Sequence, residues 1–203
     1  MLARCGVFSL AAWIGAFLVL RNTATTDFAG VANVAMLSWL PASVFGAASL
    51  AGPALRTERN AAWVLRACAM SAFAPLGATL LLMGVLFGGC GLFFGTFLGV
   101  TTQLGSLSRL RVATVTAAEG AVLSAIAASI VRMSTLGGAK DSVRVLALIT
   151  CLLLASTLAI VWVREYSLLV WGAVALGAMA MSYWVSRWTD RRFDLGATTH
   201  NAC

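Results

Sequence analysis

Residues 67–108 read "ACAMSAFAPLGATLLLMGVLFGGCGLFFGTFLGVTTQLGSLS", 42 residues without a formal charge. As a single α-helix the run would be roughly 63 Å long at about 1.5 Å per residue. The hydrocarbon of a bilayer is only about 30 Å thick. The run must therefore turn back on itself, and "FGGCG" at 87–91 is the expected place, because glycine accepts the backbone angles of a tight turn. Two readings follow. Either the run holds two ordinary spans, or it holds one span plus a Gly-rich re-entrant hairpin shielded by protein.

Composition places the whole chain in the membrane class. Of 203 residues, 61% are hydrophobic and 10% charged, against about 45–50% and about 25% in soluble domains. A chain this short leaves too much surface exposed to hide that apolar content from water. The expected fold is an all-α, polytopic integral membrane protein of six or seven transmembrane helices. Residues 1–186 form one helical domain in this reading, and 187–203 a polar tail.

Working outward, further apolar runs fall at about 5–20, 28–55, 112–131, 143–163 and 167–186. The first has the length of a signal-peptide core, but Arg21 stands where a cleavage site would follow, so it reads as an uncleaved span. Pro41 lies inside the second, where neighbouring membrane helices tolerate a kink. Trp63, Trp162, Tyr166, Trp171, Tyr183, Trp184 and Trp188 lie near run ends, as anchors at the headgroup level do.

The net charge is +7. Its basic residues stand singly or in pairs between apolar runs, a topology pattern rather than the basic stripe of a nucleic-acid binder. The partners expected are the lipid bilayer and, through small-residue faces, a second copy or other membrane helices. Counting charge by side, seven crossings give seven basic residues on each face. A single net crossing of 67–108 gives ten against four, a clear inside bias. Charge thus favours one crossing there, whereas length favours two, and the two-span reading is taken as the working expectation.

His200, the one histidine, lies in the tail, and the five cysteines are scattered without a CxxC pair. Neither a metal site nor a cofactor is expected, nor an enzyme, since no nucleophile–base set can be assembled. The cysteines read as small buried hydrophobes.

One residue stands out. In "TVTAAEGAVLSAIAASIV", 114–131, only Glu119 carries a charge. Taking the helix to begin at Val112 places it about 10 Å deep, beyond easy reach of the headgroups for so short a side chain. An intramembrane carboxylate faces a bundle interior or a wet cavity and is a functional site by default. Arg66 is its candidate partner if the two helices start from the same side. Ala117, Ala121 and Ala125 recur at i+4 around it, and Gly91, Gly95 and Gly99 form a tandem GxxxG; such faces let helices approach closely. The glycines could also line a conduit whose polar end is Thr101, Thr102 and Gln103.

Two stretches resemble known families. "LPASVFGAASLAGPALRTERN", 40–60, looks like the second helix and basic loop of major-facilitator exporters, without the paired basic residues and acid of that loop. "TAAEGAV", 116–122, followed by "LGG" at 136–138, resembles Bax-inhibitor-type seven-span proteins, without their paired intramembrane aspartates. The first resemblance implies transport and the second a membrane interaction protein. The expectation carried forward is a small transporter or channel-like protein using Glu119, with a non-transporting membrane scaffold as the alternative.

Overall fold

The computed structural model describes residues 2–23, 27–60, 73–135, 149–151 and 153–154. Arg66, the runs at 143–163 (but for the five residues just named) and 167–186, the tail and the aromatics from Trp63 to Trp188 named above lie outside them. The described residues form four α-helices: α1 (Leu2–Thr23), α2 (Phe28–Asn60), α3 (Phe73–Thr101) and α4 (Ser106–Thr135). Asp27 opens α2, its carboxylate accepting from the Gly30 amide at 3.0 Å, as an N-cap should. Within these helices, Phe28–Ala54, Thr79–Thr101 and Ser106–Val131 are long and apolar enough to cross a membrane.

The 42-residue run does not turn at 87–91. Helix α3 passes unbroken through Phe87, Gly88, Gly89, Cys90 and Gly91, so neither a second span nor a re-entrant hairpin begins there. The turn comes at 102–105 instead. Gln103 takes the left-handed conformation, φ 56°. Its amide donates to Val100 O, and the Leu104 amide to Gly99 O, both at 3.1 Å. This bond pair closes the end of a helix as a Schellman motif does, with Leu104 tucked back on the last turn. Gly105 then caps α4 by accepting from the Arg109 amide at 2.9 Å.

The glycines of α3 serve close approach, not a turn. A Cβ on Gly95 would stand 2.8 Å from Ala113 Cα and 2.9 Å from Val112 O of α4. One on Gly88 would meet Ala117 O and Ala121 Cβ at 3.3 Å, and one on Gly99 would meet Arg109. These contacts run in opposite directions along the two helices, so α3 and α4 form an antiparallel hairpin. Without Cβ atoms in the way the backbones pack directly, which is how membrane helices associate when lipid removes the hydrophobic drive between them.

Helix α2 lies across this hairpin. Trp39 stacks on Phe94, centroids 5.3 Å apart, and Gly46 stands against the Phe87 ring. Helix α2 is therefore antiparallel to α3 and parallel to α4, and its Asn60 end lies at the Phe73 end of α3. Trp13 of α1 closes on Phe97 at 4.6 Å, and Phe8 stacks on Phe45 at 5.9 Å, so α1 runs against α2.

Many of the side chains that the helices leave outside are large and apolar. Leu81, Leu82, Val85 and Phe93 of α3 are each at least 61% exposed, as are Leu107 and Leu110 of α4. A contiguous surface of that kind is untenable in water and natural against lipid tails. Cys90 and Cys151 are exposed too, contrary to the expectation of buried cysteines. The reason is the same: a small apolar side chain loses nothing by facing lipid.

Candidate functional site

Glu119 is the thirteenth residue after Ser106 and the twelfth before Val131, the ends of the α4 span. That is about 20 Å from one end and 18 Å from the other, the middle of the candidate span. Helix α4 begins at Ser106, six residues before the Val112 from which the sequence expectation of about 10 Å was counted.

The carboxyl is fully buried, at 0% exposure. The described helices packed on α4 are α2 and α3. Neither Oε1 nor Oε2 has a hydrogen-bond partner among the described residues. Buried polar groups are satisfied as a rule, and an unsatisfied one costs about 1–3 kcal/mol. Sites where a fold carries such a cost tend to be functional.

A second unsatisfied group lies in the same interior. Trp39 Nε1 is buried and without an acceptor, although a buried indole N–H normally finds one. The nitrogen sits in a slot between two glycines. A Cβ on Gly120 would stand 2.6 Å from it, and one on Gly91 would stand 2.9 Å away. Gly120 adjoins Glu119 in the chain, so the unpaired donor and the unpaired carboxyl lie at a similar level along α4. The two are not bonded to each other.

The remaining polar side chains of this interior are committed. Thr116 Oγ1 donates across the hairpin to Gly91 O at 2.8 Å, with Val112 O and Ala113 O at 2.9 and 3.1 Å sharing the same hydrogen. Ser43 donates to Leu40 O and Ser124 to Ala121 O, the usual use of hydroxyls inside helices. Thr101 and Thr102 both donate to Leu98 O, at 2.9 and 2.7 Å. With Gln103 they form the α3–α4 turn, about 24 Å along α4 from Glu119 if counted from Gln103 at 1.5 Å per residue.

The glycine and alanine stripe faces inward. Gly91 and Gly95 lie against Thr116, Gly99 against Arg109, and Ala117 and Ala121 against Gly88; Ala125, one turn on, is half-buried. The Phe73 end of α3 lies at the far end of the hairpin from the Ser106 end of α4. Arg66 itself is outside the described residues.

Trp39 is the residue sequence reading missed. Tryptophan was expected at run ends, yet Trp39 falls near the middle of the Phe28–Ala54 span. That placement was itself the signal, since a mid-span indole has a donor to satisfy away from any headgroup.

No protein-family model matches the chain, and no curated protein or solved structure shows significant similarity to it. The two partial resemblances rest on the short stretches that carry them.

Proposed function

We propose that this protein is a multi-pass membrane transporter or channel-like protein in which Glu119 binds the transported ion at mid-membrane. One observation carries the proposal: a carboxyl at the centre of a membrane helix, fully buried, has no partner among the described residues. A structural carboxylate would be paired. A site that must take up and release an ion is left unpaired between events.

The chain makes six crossings in this proposal. With α3 as one helix the run 67–108 crosses once, and the basic residues then divide ten inside to four outside, in line with the positive-inside rule. The location is a cell membrane, multi-pass. The proposed role is not enzymatic, since Glu119 has no nucleophile or base beside it among the described residues. A scaffold that recruits outside helices would need its small-residue faces free. Here Gly88, Gly91, Gly95 and Gly120 meet the chain's own helices, which favours transport over scaffolding.

The test is ion flux in vesicles holding the purified protein, under an imposed pH or alkali-cation gradient. Glu119→Gln keeps the shape and removes the charge. Flux is expected to fall at least tenfold to the level of empty vesicles, with insertion and thermal stability retained. Undiminished flux in Glu119→Gln would reject the site.

A further inference from the structure

Helix α2 is built in two unequal halves about Pro41. Proline has no amide hydrogen, so Pro41 leaves Leu37 O, four residues earlier, without its helix donor. Pro41 and Leu37 are both exposed, which puts the break on the outer side of the helix. On the inner side Ser43 Oγ donates to Leu40 O at 2.9 Å, across the same position. Such back-bonds bend helices, and prolines are the commonest origin of a sharp bend in an otherwise continuous one.

The two halves are held to the hairpin differently. Before Pro41 the buried side chains are Val31, Ala32, Ala35, Met36, Trp39 and Leu40. The Trp39 indole nitrogen sits between Gly91 and Gly120, and its ring stacks on Phe94. Backbone on both flanks cannot turn aside, so this half is clamped, and it lies at the end of the hairpin that the 102–105 turn closes.

After Pro41 the buried side chains are Ala42, Ser43, Val44, Ala47 and Ala51. All are small, with few atoms for dispersion contacts. Gly46 rests on the Phe87 ring, and Phe45 on the Phe8 ring of α1. Both contacts are to side chains, which can change rotamer and follow a movement.

We propose that Pro41 is a hinge about which residues 42–60 of α2 swing from the hairpin while residues 28–40 stay in place. Hinges are a few positions that absorb a change in backbone angles while the packed segments beside them keep their form. Segments with few buried apolar contacts are the ones that open. The swing opens the interior toward the Asn60 end of α2 and leaves it shut at the α3–α4 turn. Under the proposed function this is access to the interior from one membrane face; the hinge itself does not depend on what Glu119 binds.

The test compares two matched positions. Ala35 and Ala47 are both fully buried, and they lie equally far inside the two ends of the Phe28–Ala54 span. Each is replaced by cysteine in a protein with its five native cysteines removed, and a charged methanethiosulfonate is supplied to both faces of vesicles. Cysteine at 47 is expected to react about tenfold faster than cysteine at 35. Pro41→Ala, which restores the missing amide, is expected to slow the reaction at 47 severalfold. A rate at 35 equal to or above that at 47, or a rate at 47 indifferent to Pro41→Ala, would overturn the hinge. Hydrogen exchange reads the same movement in the native chain: amides of 42–54 are expected to exchange about tenfold faster than those of 29–40, and uniform protection along α2 would overturn it. Neither measurement reads flux, so the hinge and the role of Glu119 fail separately.

Discussion

Gly95→Leu is expected to abolish the folded state, the largest effect of any single change in the described helices. A Cβ at this position meets Ala113 Cα and Val112 O at under 3 Å and presses on Thr116 Oγ1. Two of those atoms belong to the α4 backbone, which cannot turn aside as a side chain can. Accommodation would require α3 and α4 to separate along the hairpin, breaking the Thr116–Gly91 hydrogen bond. Overpacking typically costs about 1–3 kcal/mol and occasionally more, and a clash with backbone on both flanks belongs at or above the top of that range. Gly89→Leu is the matched control. Gly89 is exposed, with nothing within 4 Å of an added Cβ, so its new side chain faces lipid and the helix gains from losing a glycine. Monodispersity and the thermal transition in detergent should separate the two variants clearly. Equal behaviour would mean that the helices do not pack through this face.

Glu119→Met is expected to do the reverse: stabilise the protein while silencing it. The carboxyl is buried with both oxygens unpaired among the described residues, a cost of about 1–3 kcal/mol. Replacing an unsatisfied polar group by an apolar one of similar size tends to be neutral or stabilising, and methionine adapts to irregular space. The thermal transition should rise as flux disappears, the opposed pair that marks a site kept for function against stability. A lowered transition would show that the carboxyl has a structural partner, and the functional reading of its isolation would fall.

The apolar membrane-compatible helices, the inward glycine stripe and the isolation of the Glu119 carboxylate were all legible in the sequence, each for a local reason. Apolar content this high has one solvent, Gly91, Gly95 and Gly99 share a helix face at any register, and a lone carboxylate in an apolar run needs an explanation wherever the run starts. The errors concerned what only a neighbouring helix decides. "FGGCG" is compatible with a turn and with close packing alike, and α4 lying against it selects the helix. The depth of Glu119 depended on where α4 begins, and "TTQLGS" hid a turn because Gln103, not a glycine, occupies the left-handed position. Charge counting had favoured a single crossing of 67–108 and length two; within the run α3 is one helix from Phe73 to Thr101, and the turn follows it at 102–105. Trp39 was passed over because its burial depends on Gly91 and Gly120, 52 and 81 residues further along the chain.

The proposed role of Glu119 requires α2, α3 and α4 each to cross once in alternating directions, which would set the carboxyl at mid-membrane. The most direct test is the sidedness of single cysteines placed at Thr57 and at Ser108 in a protein with its five native cysteines removed. Thr57 lies in the last turn of α2, at the Phe73 end of α3, and Ser108 in the first turn of α4. A membrane-impermeant thiol reagent should reach one position only from the inner face and the other only from the outer face. Labelling of both from the same face would contradict the single crossing of α3, and with it the depth and isolation on which the role of Glu119 rests.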